Sequence, residues 1–305
     1  MPYVFGPVPS RRLGLSLGID LIPAKTCTYD CLYCQVGRTT CKTIEAGPFI
    51  PVQEVLVELE QKLGKMRPDF VTLAGSGEPT LHSHIEKVIT FIKRITGIKI
   101  ALLTNGSLFW NEEVRNRVSG SDIIMPTLTT AFEETFRSIH RPCPELNLPL
   151  IIEGLKSLRQ TYQGHIFLEV VLMAGFNDSN REIEGLKRVI DDIAPDKVQL
   201  NTVVRPPADS RAIPLDIKRL ESIKEIFGER AEIITDHALK QKGGQQDSLI
   251  TAVLEMAKRR PVRSVDVAHA LDLPLDEAEG LIKGLRIKGF LIQQEHSGKV
   301  FYLSE

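Results

Sequence analysis

Three of the chain's five cysteines fall in one short stretch, KTCTYDCLYCQVG (residues 25–37), as Cys27-x₃-Cys31-x₂-Cys34. Four thiolates around one metal close a tetrahedral zinc site. No second Cys-x-x-Cys pair follows, and no histidine lies in the loop to complete such a set. A [4Fe–4S] cluster is normally held by four cysteines, so three leave one iron open to an amine and a carboxylate from another molecule. An incomplete zinc site and buried unliganded thiols are the alternatives. Further along stands Gly75-Ser76-Gly77-Glu78-Pro79. Its backbone carbonyls and carboxylate suit an ammonium group, and its residue types equally suit a plain strand-to-helix turn. It lacks the third glycine of a dinucleotide fingerprint. Polar residues also close apolar runs at Thr104-Asn105 and at Asn201 and Arg205, while Glu169 lies inside such a run. A carboxylate there needs a partner, and an arginine can hold one bidentately.

These residues need a scaffold, and the pattern around them supplies one. Strand-like runs at 15–22, 70–74, 98–103, 122–125, 166–173, 197–204 and 232–235 alternate with helical stripes. Val52, Val55, Leu56, Leu59 and Leu63 form one stripe, and Ile85, Val88, Ile89, Ile92 and Ile95 another. Others are expected near 111–118, 152–158, 183–193 and 215–227. Short apolar runs between helices indicate buried parallel strands with crossover helices. The fold class is α/β, and chemistry belongs at the C-terminal strand ends. The cysteine loop, the glycine turn and Thr104-Asn105 all follow strands in this way.

The cysteine spacing, with Tyr33 directly before the last cysteine, resembles the cluster loop of the radical S-adenosylmethionine (SAM) superfamily. The resemblance covers roughly residues 1–235 and implies a partial (βα)₆ barrel. It implies Cys27, Cys31 and Cys34 as ligands of a [4Fe–4S] cluster. The SAM amino group would lie at Gly75, Gly77 and Glu78. SAM contacts would come from Tyr33, Thr104, Asn105, Glu169, Asn201 and Arg205. The implied activity is reductive cleavage of SAM and hydrogen abstraction from a substrate, with an external one-electron donor. Within the superfamily the chain is similar to the tRNA wyosine-base synthases, including over SIHRPCPELNLPLIIEGLKSL (138–158). Those synthases hold a second cluster on cysteines nearer the N-terminus, and none precedes Cys27 here. The remaining thiols are Cys41, expected to be uninvolved, and Cys143. The latter lies in the long connection after the fourth strand and is the candidate catalytic residue, with a packed loop thiol as its alternative.

Residues 236–247 read as a polar linker. Residues 248–305 show three helical patterns, the second behind Ser264 as N-cap, and then a hairpin. This resembles a winged helix able to fold separately; the rival arrangement is a cap on the barrel. Between Gln246 and Glu305 eight Lys and Arg face nine Asp and Glu, without the basic excess of a nucleic-acid reader. The resemblance implies a tRNA base as substrate, with a protein or peptide or a small metabolite as the other classes. A metal- or redox-sensing regulator is the non-enzyme alternative. Net charge is −1, with 42% hydrophobic and 25% charged residues, as in ordinary globular proteins. With no signal-like N-terminus, no span-length apolar run and an odd cysteine count, the expectation is cytoplasmic, with no membrane partner.

Overall fold

The computed structural model describes residues 2–234 and 246–304. Strand β1 (Val4–Ser10) forms an antiparallel pair with β2 (Gly14–Ile19). Across the cysteine loop, the short strands β3 (Thr26–Cys27) and β4 (Cys41–Lys42) pair with each other. The chain continues through α1 (Val52–Leu63), β5 (Phe70–Leu73), α2 (Ile85–Ile95), β6 (Lys99–Thr104), α3 (Glu112–Val118), β7 (Ile123–Pro126), α4 (Glu133–His140) and α5 (Leu148–Thr161). Then follow β8 (His165–Leu172), α6 (Asn180–Ile193), β9 (Lys197–Thr202), α7 (Ile217–Phe227) and β10 (Ala231–Ile233). One eight-stranded sheet results, ordered β1-β2-β5-β6-β7-β8-β9-β10, and all neighbours from β2 to β10 are parallel.

The order follows from the pattern. Each crossover helix buries one stripe and returns the chain beside the strand it left. In α2 that stripe is Ile85, Val88, Ile89 and Ile92, all buried. Side chains set the helix starts: Asn147, Ser179 and Asp216 accept from the backbone N–H groups of Leu150, Glu182 and Arg219. These caps satisfy donors that the first turn leaves orphaned.

Besides the short strands β3 and β4, the sequence did not lead one to expect β1 or α4. Gly6, Pro7 and Pro9 obscure β1, which is an edge strand where proline is tolerated. The connection after the fourth predicted strand is not a bare loop, because it contains α4 with Phe136 and Ile139 buried. The first predicted strand is shorter than 15–22 and stops at Ile19. Asp20 then turns aside to accept from the Ser76 backbone and hydroxyl.

After the sheet come α8 (Gln246–Arg259), α9 (Ser264–Leu271), α10 (Leu275–Ile287) and the antiparallel pair β11 (Ile292–His296) and β12 (Lys299–Leu303). Of the linker expected at 236–247, residues 236–245 lie outside the described residues and 246–247 are already helical. Ser264 is the first residue of α9 rather than its cap. The Asp266 carboxylate serves that end, accepting from Arg263 N at 3.0 Å. Val253, Val267, Ala278, Ile282 and Leu291 form a small core of their own, yet Val8 of β1 packs against it. Arg259 donates to the Pro2 carbonyl at 2.6 Å and lies over the Phe5 ring at 4.1 Å. His296 Nε2 stands 2.9 Å from the Val203 carbonyl. The C-terminal helices thus lie on the first strand and on the end of β9.

Candidate active site

A cavity of about 380 Å³ opens at the C-terminal ends of the parallel strands. Cys27, Cys31, Tyr33 and Cys34 line it, as do Gly75, Gly77, Glu78, Thr104, Asn105, Glu169, Asn201 and Arg205. Cys41 and Cys143 do not.

The cysteine loop is held by backbone contacts from two sides. Lys25 N donates to Ser76 O at 2.7 Å, and Glu78 N donates to Thr26 O at 3.1 Å. These bonds draw the glycine turn onto the loop. Gly77 makes the approach possible, since a Cβ there would lie 2.0 Å from the Thr26 carbonyl oxygen. At Gly75, with φ +152°, a Cβ would meet the Asp20 carboxylate at 2.3 Å. On the other side, Asp30 N and Leu32 N donate to the carbonyls of His140 and Ile139 at 2.9 Å each, and Cys143 N donates to Thr28 O at 2.9 Å.

His140 was not anticipated from sequence. Its Nδ1 lies 3.2 Å from Cys31 Sγ and its Nε2 lies 2.7 Å from Thr129 Oγ1. Burial pushes its pKa down to about 3, so the ring is neutral. Beside a metal-bound Cys31 thiolate the ring would carry its proton on Nδ1 and accept a hydrogen bond from the Thr129 hydroxyl at Nε2. A histidine just before Arg141-Pro142-Cys143 was visible in the sequence, but nothing local linked it to a cysteine 109 positions away.

Glu78 is buried and its hydrogen bonds are specific. One oxygen accepts from Thr104 Oγ1 and Thr80 Oγ1 at 2.6 Å each and from Thr80 N at 3.0 Å; the other accepts from Asn105 N at 2.7 Å. Burial raises its pKa and these bonds offset part of the rise. Asn105 spends its amide on Thr28 Oγ1 at 2.7 Å and approaches Cys27 Sγ at 3.5 Å. Thr104 and Asn105 therefore hold Glu78 and the cysteine loop, although both reach the cavity wall.

Glu169 is also engaged. It accepts from Arg12 Nη1 at 2.7 Å, Asn201 Nδ2 at 3.0 Å and Thr127 Oγ1 at 3.2 Å. Burial works to raise its pKa, but the Arg12 guanidinium and these bonds hold it below the ordinary value. Arg205, expected at the strand mouth as a SAM contact able to hold a carboxylate, lines the cavity and pairs with a carboxylate of the chain itself. It is 5% exposed and donates to the Pro261 carbonyl and, at 3.1 Å, to Asp266, tying β9 to the C-terminal helices. Cys143 follows the packed-thiol alternative: its side chain is buried in the main core, and burial raises its pKa. Cys41 is exposed.

The three lining thiols have raised pKa values because burial disfavours thiolate. Cys27 is pushed up to about 12, with Glu78 adding to the effect of burial. For Cys31 the neighbouring Cys27 and Cys34 add to it. Such thiols ionise only beside strong positive charge, which bound metal supplies. Among the described residues, no three His, Cys, Asp or Glu side chains converge on one ion position. One zinc would need thiolates at about 2.3 Å from a single point, whereas an iron–sulfur cube takes one thiolate on each of several irons.

A model of the radical SAM superfamily matches residues 21–185. The chain belongs to the radical SAM superfamily. Radical SAM proteins use a [4Fe–4S] cluster and S-adenosylmethionine. A UPF0026 protein of Methanocaldococcus jannaschii is 34% identical, over 99% of this chain and 96% of its own. A protein of Brachyspira hyodysenteriae named GTPase Obg is 35% identical over 97% of this chain, but the match spans only 43% of that relative. Among solved structures, TYW1 with a lysine–pyruvate adduct bound aligns with a TM-score of 0.52 and 16% identity, covering 74% of this chain and 76% of that one. At that identity the likeness concerns the fold alone. The donor set fits the radical SAM cofactors: three thiols, a carboxylate and a glycine turn on one cavity wall. No helix among the described residues is long and apolar enough to cross a membrane.

Proposed function

We propose that the chain is a radical SAM enzyme in which Cys27, Cys31 and Cys34 hold a [4Fe–4S] cluster. SAM lies against Gly75, Gly77 and Glu78, with Tyr33, Thr104 and Asn105 as neighbours. One observation carries the reading: the three thiols and the glycine turn face one cavity and are bonded to each other through Thr26 and Glu78. Bound together, the cofactors supply one-electron reductive cleavage of the SAM sulfonium and hydrogen-atom abstraction from substrate. The chain's own residues bind and orient. Glu78 and the turn carbonyls accept from an ammonium, Asn105 fixes the cysteine loop, and the surrounding walls exclude water. Glu169 and Asn201 support the far wall through Arg12.

The sheet is read as a partial barrel over residues 1–235, and the last three helices and hairpin as a winged helix over 248–305. Its contacts with β1 and Arg205 support a cap on the cavity rather than a detached output module, which favours enzyme over sensor. The electron comes from an external donor, and unpaired thiols suit the reducing cytoplasm. The substrate is a tRNA base, a peptide or a metabolite.

The test is anaerobic reconstitution of Cys27→Ala, Cys31→Ala, Cys34→Ala and Cys41→Ala. The first three are expected to lose iron and SAM cleavage, and the fourth to retain both. Full iron content and turnover in any of the first three would sink the assignment.

A further inference from the structure

Asp20 stands directly after β2 and is 8% exposed. Neither it nor Ser76 lines the cavity, whereas Gly75 and Gly77 do. The Asp20 carboxylate therefore meets the glycine turn from behind. Its two oxygens accept from Ser76 N at 3.2 and 3.1 Å, and the second also accepts from Ser76 Oγ at 2.6 Å. The Ser76 carbonyl accepts from Lys25 N at 2.7 Å. Both peptide groups of Ser76 are thus held, one by Asp20 and one by the cysteine loop. In a trans peptide, as here, the N–H and the C=O point in opposite directions. Fixing the Ser76 N–H on Asp20 turns the Gly75 carbonyl away from Asp20, to the side where Gly75 meets the cavity. Gly75 also makes room for this clamp, because a Cβ there would take the place of the carboxylate.

We infer that Asp20 is the positioning residue of the SAM turn: it aims the Gly75 carbonyl at the SAM ammonium and sets a negative charge behind it. This rests on the SAM placement proposed above and adds to it a residue that does not touch the ligand. A carboxylate has about four acceptor sites. Glu78 already accepts from Thr104 Oγ1, Thr80 Oγ1, Thr80 N and Asn105 N. An ammonium beside Glu78 needs an aimed carbonyl as well. Hydrogen bonds to an ionised acceptor are about twice as strong as neutral ones, so a carboxylate fixes the turn more firmly than an amide or a hydroxyl does. A buried carboxylate is costly unless it is bonded. Burial raises the pKa of Asp20, and the Ser76 bonds and the positive charge of Arg259 work against the rise. Arg259 is the last residue of α8, so the C-terminal helices help to keep the clamp charged. The charge in turn favours a cation in front of the turn.

The test is calorimetric titration of S-adenosylhomocysteine and of 5′-methylthioadenosine into the full-length, anaerobically reconstituted protein. Both ligands carry the adenosine and a thioether, and the second lacks the amino-acid part. In Asp20→Ala the affinity for S-adenosylhomocysteine is expected to fall about tenfold or more, as for loss of hydrogen bonds to a charged group. Affinity for methylthioadenosine and iron content are expected to stay as in the parent protein. Asp20→Asn keeps the shape and one acceptor oxygen, and should recover part of the loss. Ser76→Ala removes the hydroxyl donor and should act in the same direction; it reads the same clamp if Asp20→Ala fails to fold. Unchanged affinity for S-adenosylhomocysteine in these variants, or an equal fall for both ligands, overturns the assignment. The equal fall would make Asp20 a support of the fold alone. SAM cleavage is measured on the same samples. If the parent protein binds neither ligand and cleaves no SAM, the cofactor reading fails and the positioning role falls with it. If the parent binds and cleaves but the variants do not discriminate between the ligands, the positioning role alone falls.

Discussion

His140 touches Cys31 through one ring nitrogen and Thr129 through the other, so beside a metal-bound thiolate its proton would point at sulfur. Hydrogen bonds to ligand sulfurs are one lever on cluster potential. His140→Phe keeps the ring volume and removes the donor. A net hydrogen bond of about 1 kcal/mol corresponds to about 40 mV for one electron. The midpoint potential of the reconstituted cluster is expected to fall by roughly that amount, with iron content retained; spectroelectrochemical titration checks it. An unchanged potential would leave His140 as packing. At this scale the sequence was legible where chemistry is local. Cys27, Cys31 and Cys34 announce themselves by spacing. His140 does not, because its partner is distant in the chain. The partner of Arg205 was hidden for the same reason: the Asp266 carboxylate lies 61 positions on.

Between elements, two contacts carry consequences. The first is the close approach of the glycine turn to the cysteine loop. Gly77→Ala places a Cβ 2.0 Å from Thr26 O, a backbone atom that cannot rotate away. Iron content and SAM affinity are therefore expected to fall together, as measured by iron analysis and SAM titration. Gly97→Ala, where no atom lies within 4 Å, should change neither. The second contact joins Arg205 to the start of α9. Burial works against ionised Asp266, but Arg205 and Arg263 hold its carboxyl well below the ordinary carboxylate range. A depressed folded-state pKa gives stability that is complete above the unfolded value of about 3.9. It is lost as pH falls through the folded value. Acidification below about pH 4 should thus loosen the C-terminal helices from β9. Asp266→Asn should be less stable at neutral pH and lose this part of the acid dependence, which thermal melts across pH would record. The sequence revealed the helices of this region but not their attachment. Apolar stripes report that a face is buried, not which strand covers it. Gly6, Pro7 and Pro9 disguised the strand in question.

For the whole molecule, sheet and C-terminal helices share a boundary with both apolar and charged content. A chain cut after Ile234 uncovers Phe5 and Val8 and takes from Arg205 its contacts with Pro261 and Asp266. The shortened protein is expected to aggregate or melt well below the full chain, and to lose one wall of the cavity. Size-exclusion profiles and melting curves decide this, and a monodisperse fragment with unchanged melting would contradict it. The parallel order of the sheet was readable from alternating apolar runs. The union of the two parts was not, because a polar stretch between them reads as independence whether or not the parts later meet.

The pairing of β1 with the last helices also bears on the order of events during synthesis. The first strand leaves the ribosome early, but the surface that covers it follows about 240 residues later. At about 5–20 residues per second, the final 60 or so residues alone take roughly 3–12 s to appear. For that interval the cysteine loop and its glycine turn exist on a nascent sheet that the last helices do not yet cover. Iron–sulfur delivery needs room for a carrier protein, and the half-finished molecule offers more of it than the completed one. Ribosome-stalled chains ending before Gln246 should accept a cluster faster than the full-length apoprotein. Equal loading rates would show that the late helices leave the door open.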